Sequence, residues 1–194
     1  MFAALFNYCA QLVSFTREEK QIIESYFSVR QLPKKFTLIK TGKIARELYF
    51  INKGLLRLYY TKETEDITAF IFREHLFASS YDSFLRQAPS IQGLDTLEDS
   101  ELLVITFDDL NTLYKKVPRM ETLARKIAEQ RFINAQLILS SYILDSPEER
   151  WKKFEATNGD LLLRVSHHMI ASFLGITPVS LSRIRKRLKT ESGS

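Results

Sequence analysis

Cysteine is almost missing from this chain: Cys9 stands alone among 194 residues. No intrachain disulfide can form, and no cysteine-based metal cluster can be assembled. A reducing compartment, the cytoplasm, is expected. Histidine is nearly as scarce, with three residues. Only His75 falls in the strand-rich part of the chain, whereas a metal centre on a cupin-like body needs several converging imidazoles. His167 and His168 are adjacent, and consecutive helical residues point to different faces, so they chelate poorly. Cys9 has no evident base partner and reads as a small core hydrophobe. Asp95, Glu98, Asp99, Asp108 and Asp109 read as solvated loop or helix-cap acids. No catalytic constellation emerges, so an enzyme is not expected, nor a metal or cofactor.

Long apolar runs are also missing. The stretch from Met1 to Phe15 is too short to span a bilayer and has neither a basic leader nor a cleavage site. Its Phe2, Leu5, Phe6, Cys9, Leu12 and Val13 recur at helical spacing, which predicts a docked amphipathic helix and no membrane association. A third absence is local. Between Val165 and Thr190 there is no Asp or Glu, while Arg183, Arg185, Lys186, Arg187 and Lys189 all fall there. The chain's formal charge of +5 therefore sits wholly in this stretch, and the remainder is neutral. A basic patch behind a neutral body fits a polyanion, with nucleic acid the obvious partner.

What is present has an order. Fourteen Phe and eight Tyr against one Trp suggest a β-rich body, since aromatic side chains pack well on pleated surfaces. Thr16-Arg17-Glu18-Glu19 is a capping-box pattern opening a short helix that Pro33 cannot extend. Phe36–Lys40, Glu47–Asn52, Leu55–Thr61, Ile67–Arg73 and Leu102–Thr106 read as strands, separated by turn residues. Together they predict an antiparallel barrel or jelly roll. His75–Ser90 reads as an inserted short helix and loop. Phe107–Val117 reads as a helix. Arg119–Leu144 then runs without Gly or Pro, and its apolar stripe is wide enough to serve two partners. Met120, Leu123, Ile127 and Ile138 are the expected contacts of a homodimer. Ser146-Pro147-Glu148-Glu149 caps a further helix, ended by Asn158-Gly159. Glu191–Ser194 reads as a frayed tail.

The segment SHHMIASFLGITPVSLSRIRKRL, starting at Ser166, carries the functional signal. Ser166 can cap one helix, Gly175 can take the positive φ of a sharp turn, and Thr177 can cap a second helix with Pro178 in its first turn. Ile170, Leu174, Ile176, Leu181 and Ile184 fall where two steeply crossing helices bury them, which is helix-turn-helix geometry. On the second helix Arg183 is the expected base reader, because its fork matches guanine O6 and N7. Ser182 can reach a base edge or a phosphate, and Thr177 and Ser180 are expected on phosphate. Arg185, Lys186, Arg187 and Lys189 should set affinity and salt dependence.

A β-rich body, a long helix and a terminal helix-turn-helix, in that order, resemble the cyclic AMP receptor protein/FNR (Crp/Fnr) family. IASFLGITPVSLSRIRKRL and ELYFINKGLLRLYY carry the likeness most strongly. The resemblance implies a sensor domain, dimerisation along the long helix, and double-stranded DNA as partner. Ser182-Arg183 matches the FNR branch, whereas Pro178 and Val179 stand where the family often has a base-reading Arg or Glu; Val179 is counted with the expected DNA-binding residues. The four cysteines of that branch's iron–sulfur cluster are missing. In the stretch HLFASSYDSFLRQAPSIQGL there is no Gly-Glu at Phe77-Ala78-Ser79, and Pro89-Ser90 stands in place of an Arg pair. Cyclic AMP binding is thus not expected. Ser79, Ser80, Tyr81, Arg86 and Ser90 would line any pocket for an unknown effector.

The expected fold class is α+β: an antiparallel β-barrel or jelly-roll sensor over 1–117, a dimerisation helix over 118–145, and a winged-helix-like helix-turn-helix over 146–194. The expected function is operator binding as a homodimer, with room for an unknown small-molecule effector and for RNA polymerase contact. Two alternatives stay open. One is a ligand-sensing module acting through protein or RNA partners; the other is an AraC-type regulator.

Overall fold

A computed structural model of the chain describes residues 1–192. The chain divides into two compact units: Met1–Asp66 with Phe70–Gln130, and Ile67–Ala69 with the residues from Arg131 on.

The first unit begins with α1 (Ala3–Ala10) and α2 (Arg17–Ser25). Thr16 and Glu19 form the expected capping box at the start of α2. Two four-stranded sheets follow, ordered β1-β8-β3-β6 and β2-β7-β4-β5. Their strands are β1 (Ser28–Leu32), β2 (Thr37–Ile39), β3 (Glu47–Lys53), β4 (Leu56–Lys62), β5 (Glu65–Phe72), β6 (Phe77–Ala78), β7 (Gln92–Thr96) and β8 (Ser100–Thr106). A short α3 (Tyr81–Arg86) separates β6 from β7, and α4 (Phe107–Lys116) follows β8. The sheets do not close into the expected barrel. Edge strands β2 and β6, of three and two residues, carry too few ladder bonds to join one sheet to the other. The result is a two-sheet sandwich of jelly-roll type.

Both sheets contribute to one core, with Leu48, Leu103 and Ile105 from the first and Leu56, Leu58 and Leu94 from the second. In β3 four consecutive residues, Leu48 to Ile51, are buried. That requires cover on both faces, and α1 supplies part of it. The Tyr8 ring lies 6.0 Å from Phe50 and 6.0 Å from Phe77. The N-terminal apolar stretch is thus a docked helix, with Leu5 and Cys9 buried. Burial pushes the Cys9 thiol up to about 12, which leaves it inert as a nucleophile at neutral pH.

Two ion pairs fix the sheets' polar positions. Arg30 on β1 donates two hydrogen bonds of 2.8 Å to Glu47 on β3, and Tyr49 Oη donates a third. The Arg30 guanidinium holds the Glu47 carboxyl below the usual carboxylate range. On the second sheet Arg57 pairs directly across from Asp95. Its Nη2 lies 2.7 Å from Asp95 Oδ2 and 3.2 Å from Asp66 Oδ2.

Helix α5 (Arg119–Leu144) is continuous. No described helix is long and apolar enough to cross a membrane. The second unit adds α6 (Pro147–Thr157), α7 (Leu161–Arg164), α8 (His167–Phe173) and α9 (Pro178–Ser192). Trp151, Phe154, Leu161, Val165, Ile170, Leu174, Leu181 and Ile184 are its buried core. Between 145 and 192 the described residues are helical or turn, so the strands of a winged helix are not among them. The expected fraying is not seen at Glu191 and Ser192, which continue α9; Gly193 and Ser194 lie outside the described residues.

Candidate nucleic-acid interface

The turn between α8 and α9 is built as the sequence requires. Ser166 caps α8 by accepting from Met169 N. At its far end Gly175 N donates to Ser172 O and Ile176 N to Ala171 O, the paired bonds of a Schellman ending. Gly175 takes φ +66, and a Cβ there would stand 2.8 Å from Tyr142 Cε1. Both backbone conformation and space therefore demand glycine. Thr177 then accepts from Ser180 N at 3.1 Å, and Pro178 opens α9.

Two side chains brace this turn that sequence reading did not assign to it. Tyr142, at the end of α5, donates its hydroxyl proton to Phe173 O. Arg150, on α6, donates to Leu174 O at 2.9 Å and to Asp145 O at 2.7 Å. They occupy two carbonyls that the end of α8 would otherwise leave open. Tyr142 was legible only as one more apolar position of the long helix, and Arg150 only as a residue after a capping box.

The expected nucleic-acid residues fall into three groups. Val179, Ser182, Arg183, Lys186 and Lys189 are exposed and share one face of α9 by its 3.6-residue period. That face carries three cations and no acid. Thr177 and Ser180 are directed elsewhere, since their hydroxyls lie 2.9 Å apart and bond to each other. Arg185 and Arg187 flank the face and are already engaged. Arg185 Nη1 lies 2.6 Å from His167 Nε2, and its guanidinium carbon sits 5.4 Å from the centre of the Trp151 ring. Arg187 pairs with Glu148, which also holds Lys152. Thr177 and Ser180, expected on phosphate, are thus engaged in the cap of α9, and Arg185, expected to set affinity, lies against its own unit. Capping and packing against the unit's own core claim them first.

The expected effector residues do not form an open anion site. Ser79, Ser80 and Ser90 are buried, and their hydroxyls are spent internally. Ser79 donates to Glu47 O, Ser90 to Ser80, and Ser80 to Gln92 Oε1. Gln92 Nε2 in turn donates to Tyr60 Oη at 2.7 Å. Tyr81 opens α3 and is half-buried. Arg86 lies on the exposed side of α3, 3.3 Å from Asp82 one turn earlier. A separate groove of about 440 Å³ lies beside Arg46, Glu47 and Asp108.

The dimer residues also need correction. Met120 and Leu123 are 5% and 1% exposed, inside the core of their own unit. Ile127 packs partly against that core, and Ile138 is half-buried. The free apolar surface of α5 lies further on, at Phe132, Ile133, Leu137, Leu139, Ile143 and Leu144. The stripe was visible in the sequence, but which arc the chain itself would cover was not.

Residues 29–117 match the cyclic nucleotide-binding domain family. The anaerobic regulatory protein of Bacillus subtilis (strain 168) is 30% identical over 91 residues, covering 46% of this chain and 38% of the relative. The protein of the same name from Pasteurella multocida (strain Pm70) is 26% identical over 174 residues, covering 82% of this chain and 62% of the relative. The chain thus spans less than two thirds of the length of these curated relatives. In fold it is similar to a solved protein from Eubacterium rectale described as a transcriptional regulator of the Crp/Fnr family. The TM-score is 0.72 at 17% identity, over 91% of this chain and 85% of that one. The first unit is therefore a domain of the cyclic nucleotide-binding class. With the long helix and helix-turn-helix following it in sequence, the chain resembles in fold the solved regulator of the Crp/Fnr family.

Proposed function

We propose that this protein is a transcription regulator that binds a pseudo-palindromic operator as a homodimer, through α9, and that its sensor domain does not take cyclic AMP. One observation carries the reading. The outward face of α9 presents Ser182, Arg183, Lys186 and Lys189 without an acid, on a helix held by a glycine-dependent turn. A helix so presented fits a major groove. The names of the two curated relatives, both regulatory proteins, point the same way.

Selection of bound duplexes from a random pool tests the reading. A symmetric site is expected, with half-sites about 34 Å apart, one turn of duplex. Arg183→Ala should then weaken specific binding by about 1–3 kcal/mol and relax the preference at one base pair. Equal loss on selected and random duplexes would reassign Arg183 to a phosphate.

The exposed apolar arc on the second half of α5 supports the homodimer, since a monomer rarely leaves so many large side chains in water on one helix. Leu137, 64% exposed, lies near the middle of that arc. Changing Leu137 and Ile143 together to aspartate is expected to give a monomer by size-exclusion chromatography with light scattering. A pair that stays dimeric would move the interface off this helix. Against cyclic AMP stands the hydroxyl chain through Ser80, Ser90, Gln92 and Tyr60. No cation is among these groups, and the cation nearest in sequence to Ser80 and Ser90, Arg86, is exposed and paired to Asp82.

A further inference from the structure

Four of the nine side chains first expected on nucleic acid are otherwise occupied: Thr177 and Ser180 with each other, Arg185 with His167 and Trp151, Arg187 with Glu148. The side chains left on the free face are Val179, Ser182, Arg183, Lys186 and Lys189. Val179 is the odd member. Its isopropyl group is 59% exposed, whereas Leu181 and Ile184 on the same helix are buried and Leu188 is half-buried. It stands four residues before Arg183, on the same face. The major groove offers one apolar group on its floor, the C5 methyl of thymine.

We propose that Val179 is a specificity-determining residue that packs on a thymine methyl in each half-site. Four residues of helix span about 6 Å, close to two base-pair steps of about 3.4 Å. The thymine should therefore lie about two base pairs from the guanine read by Arg183. The proposal rests on the operator-binding reading above and adds to it an assignment of base type. Neither Ser182 nor Lys186 can make this discrimination, since both recognise by hydrogen bond or charge.

The test uses the full-length protein and the duplex it selects from a random pool. Replacing the assigned thymine by uracil removes only the methyl group, and the protein is unaltered. About fourfold weaker binding per half-site is expected, the value of one buried methyl-sized group. Val179→Ala should bind the thymine and uracil duplexes alike, and a fresh selection with it should lose the thymine preference while keeping the guanine. A thymine preference that survives Val179→Ala, or a selected site without thymine at that spacing, overturns the proposal while operator binding stands. Failure to select any duplex would instead overturn the operator-binding reading itself.

Discussion

Trp151→Ala is expected to destabilise the helical unit by about 3–5 kcal/mol, the usual cost of deleting a large buried aromatic. The indole is 1% exposed, lies 6.3 Å from the Phe154 ring, and forms the floor under the Arg185 guanidinium. Its removal leaves a void that short helices cannot fill, and it strips Arg185 of the surface that holds it. Urea denaturation followed by far-ultraviolet circular dichroism would read the loss. Trp151→Phe, which keeps part of the volume, should cost clearly less. A loss below about 1 kcal/mol for the alanine variant would mean that the core reorganises around the gap.

Asp95→Ala should be comparably damaging to the sandwich, by about 3 kcal/mol or more, because it leaves a buried cation short of its main counter-charge. The Arg57 side chain is 10% exposed, Asp95 approaches it with both oxygens, and Asp66, itself far more exposed, is the one carboxylate left. The double variant Arg57→Met with Asp95→Leu should recover most of the loss, since exchanging a buried pair for apolar groups is often neutral. Thermal unfolding of the three variants checks this. A double variant no better than Asp95→Ala would show that the pair also sets the register of β4 and β7.

The sequence made some parts of this molecule legible for definite reasons. Caps at Thr16, Ser146 and Ser166 were readable because a side-chain acceptor three residues before a backbone donor is a local geometry. The five strands rich in aromatic and β-branched residues were readable by composition. Strands β1, β6 and β7 were not: SVRQL and QGLDT are polar or glycine-containing, and β6 is two residues long. They are strands because β8, β3 and β4 offer them ladder bonds, which is tertiary information. Gly93 belongs in β7 for a further reason invisible in sequence, since a Cβ there would stand 2.3 Å from Cζ of the Tyr59 ring.

At the site, the helix-turn-helix and its charge were legible, because glycine, cap and cations are all local signals. The division of labour among the polar residues was not. That Thr177 and Ser180 bond each other, and that Arg185 turns inward to His167, depends on which neighbour is nearest in space. Likewise Met120 and Leu123 look in sequence like any other members of the long helix's stripe, and only the fold reveals that their own unit has already covered them.

The chain's one tryptophan lies in the helical unit, and the sandwich contains no indole. Excited at the red edge, where tyrosine is silent, the wild-type protein emits only from Trp151. Its emission is thus a built-in optical reporter of the unit that carries α9.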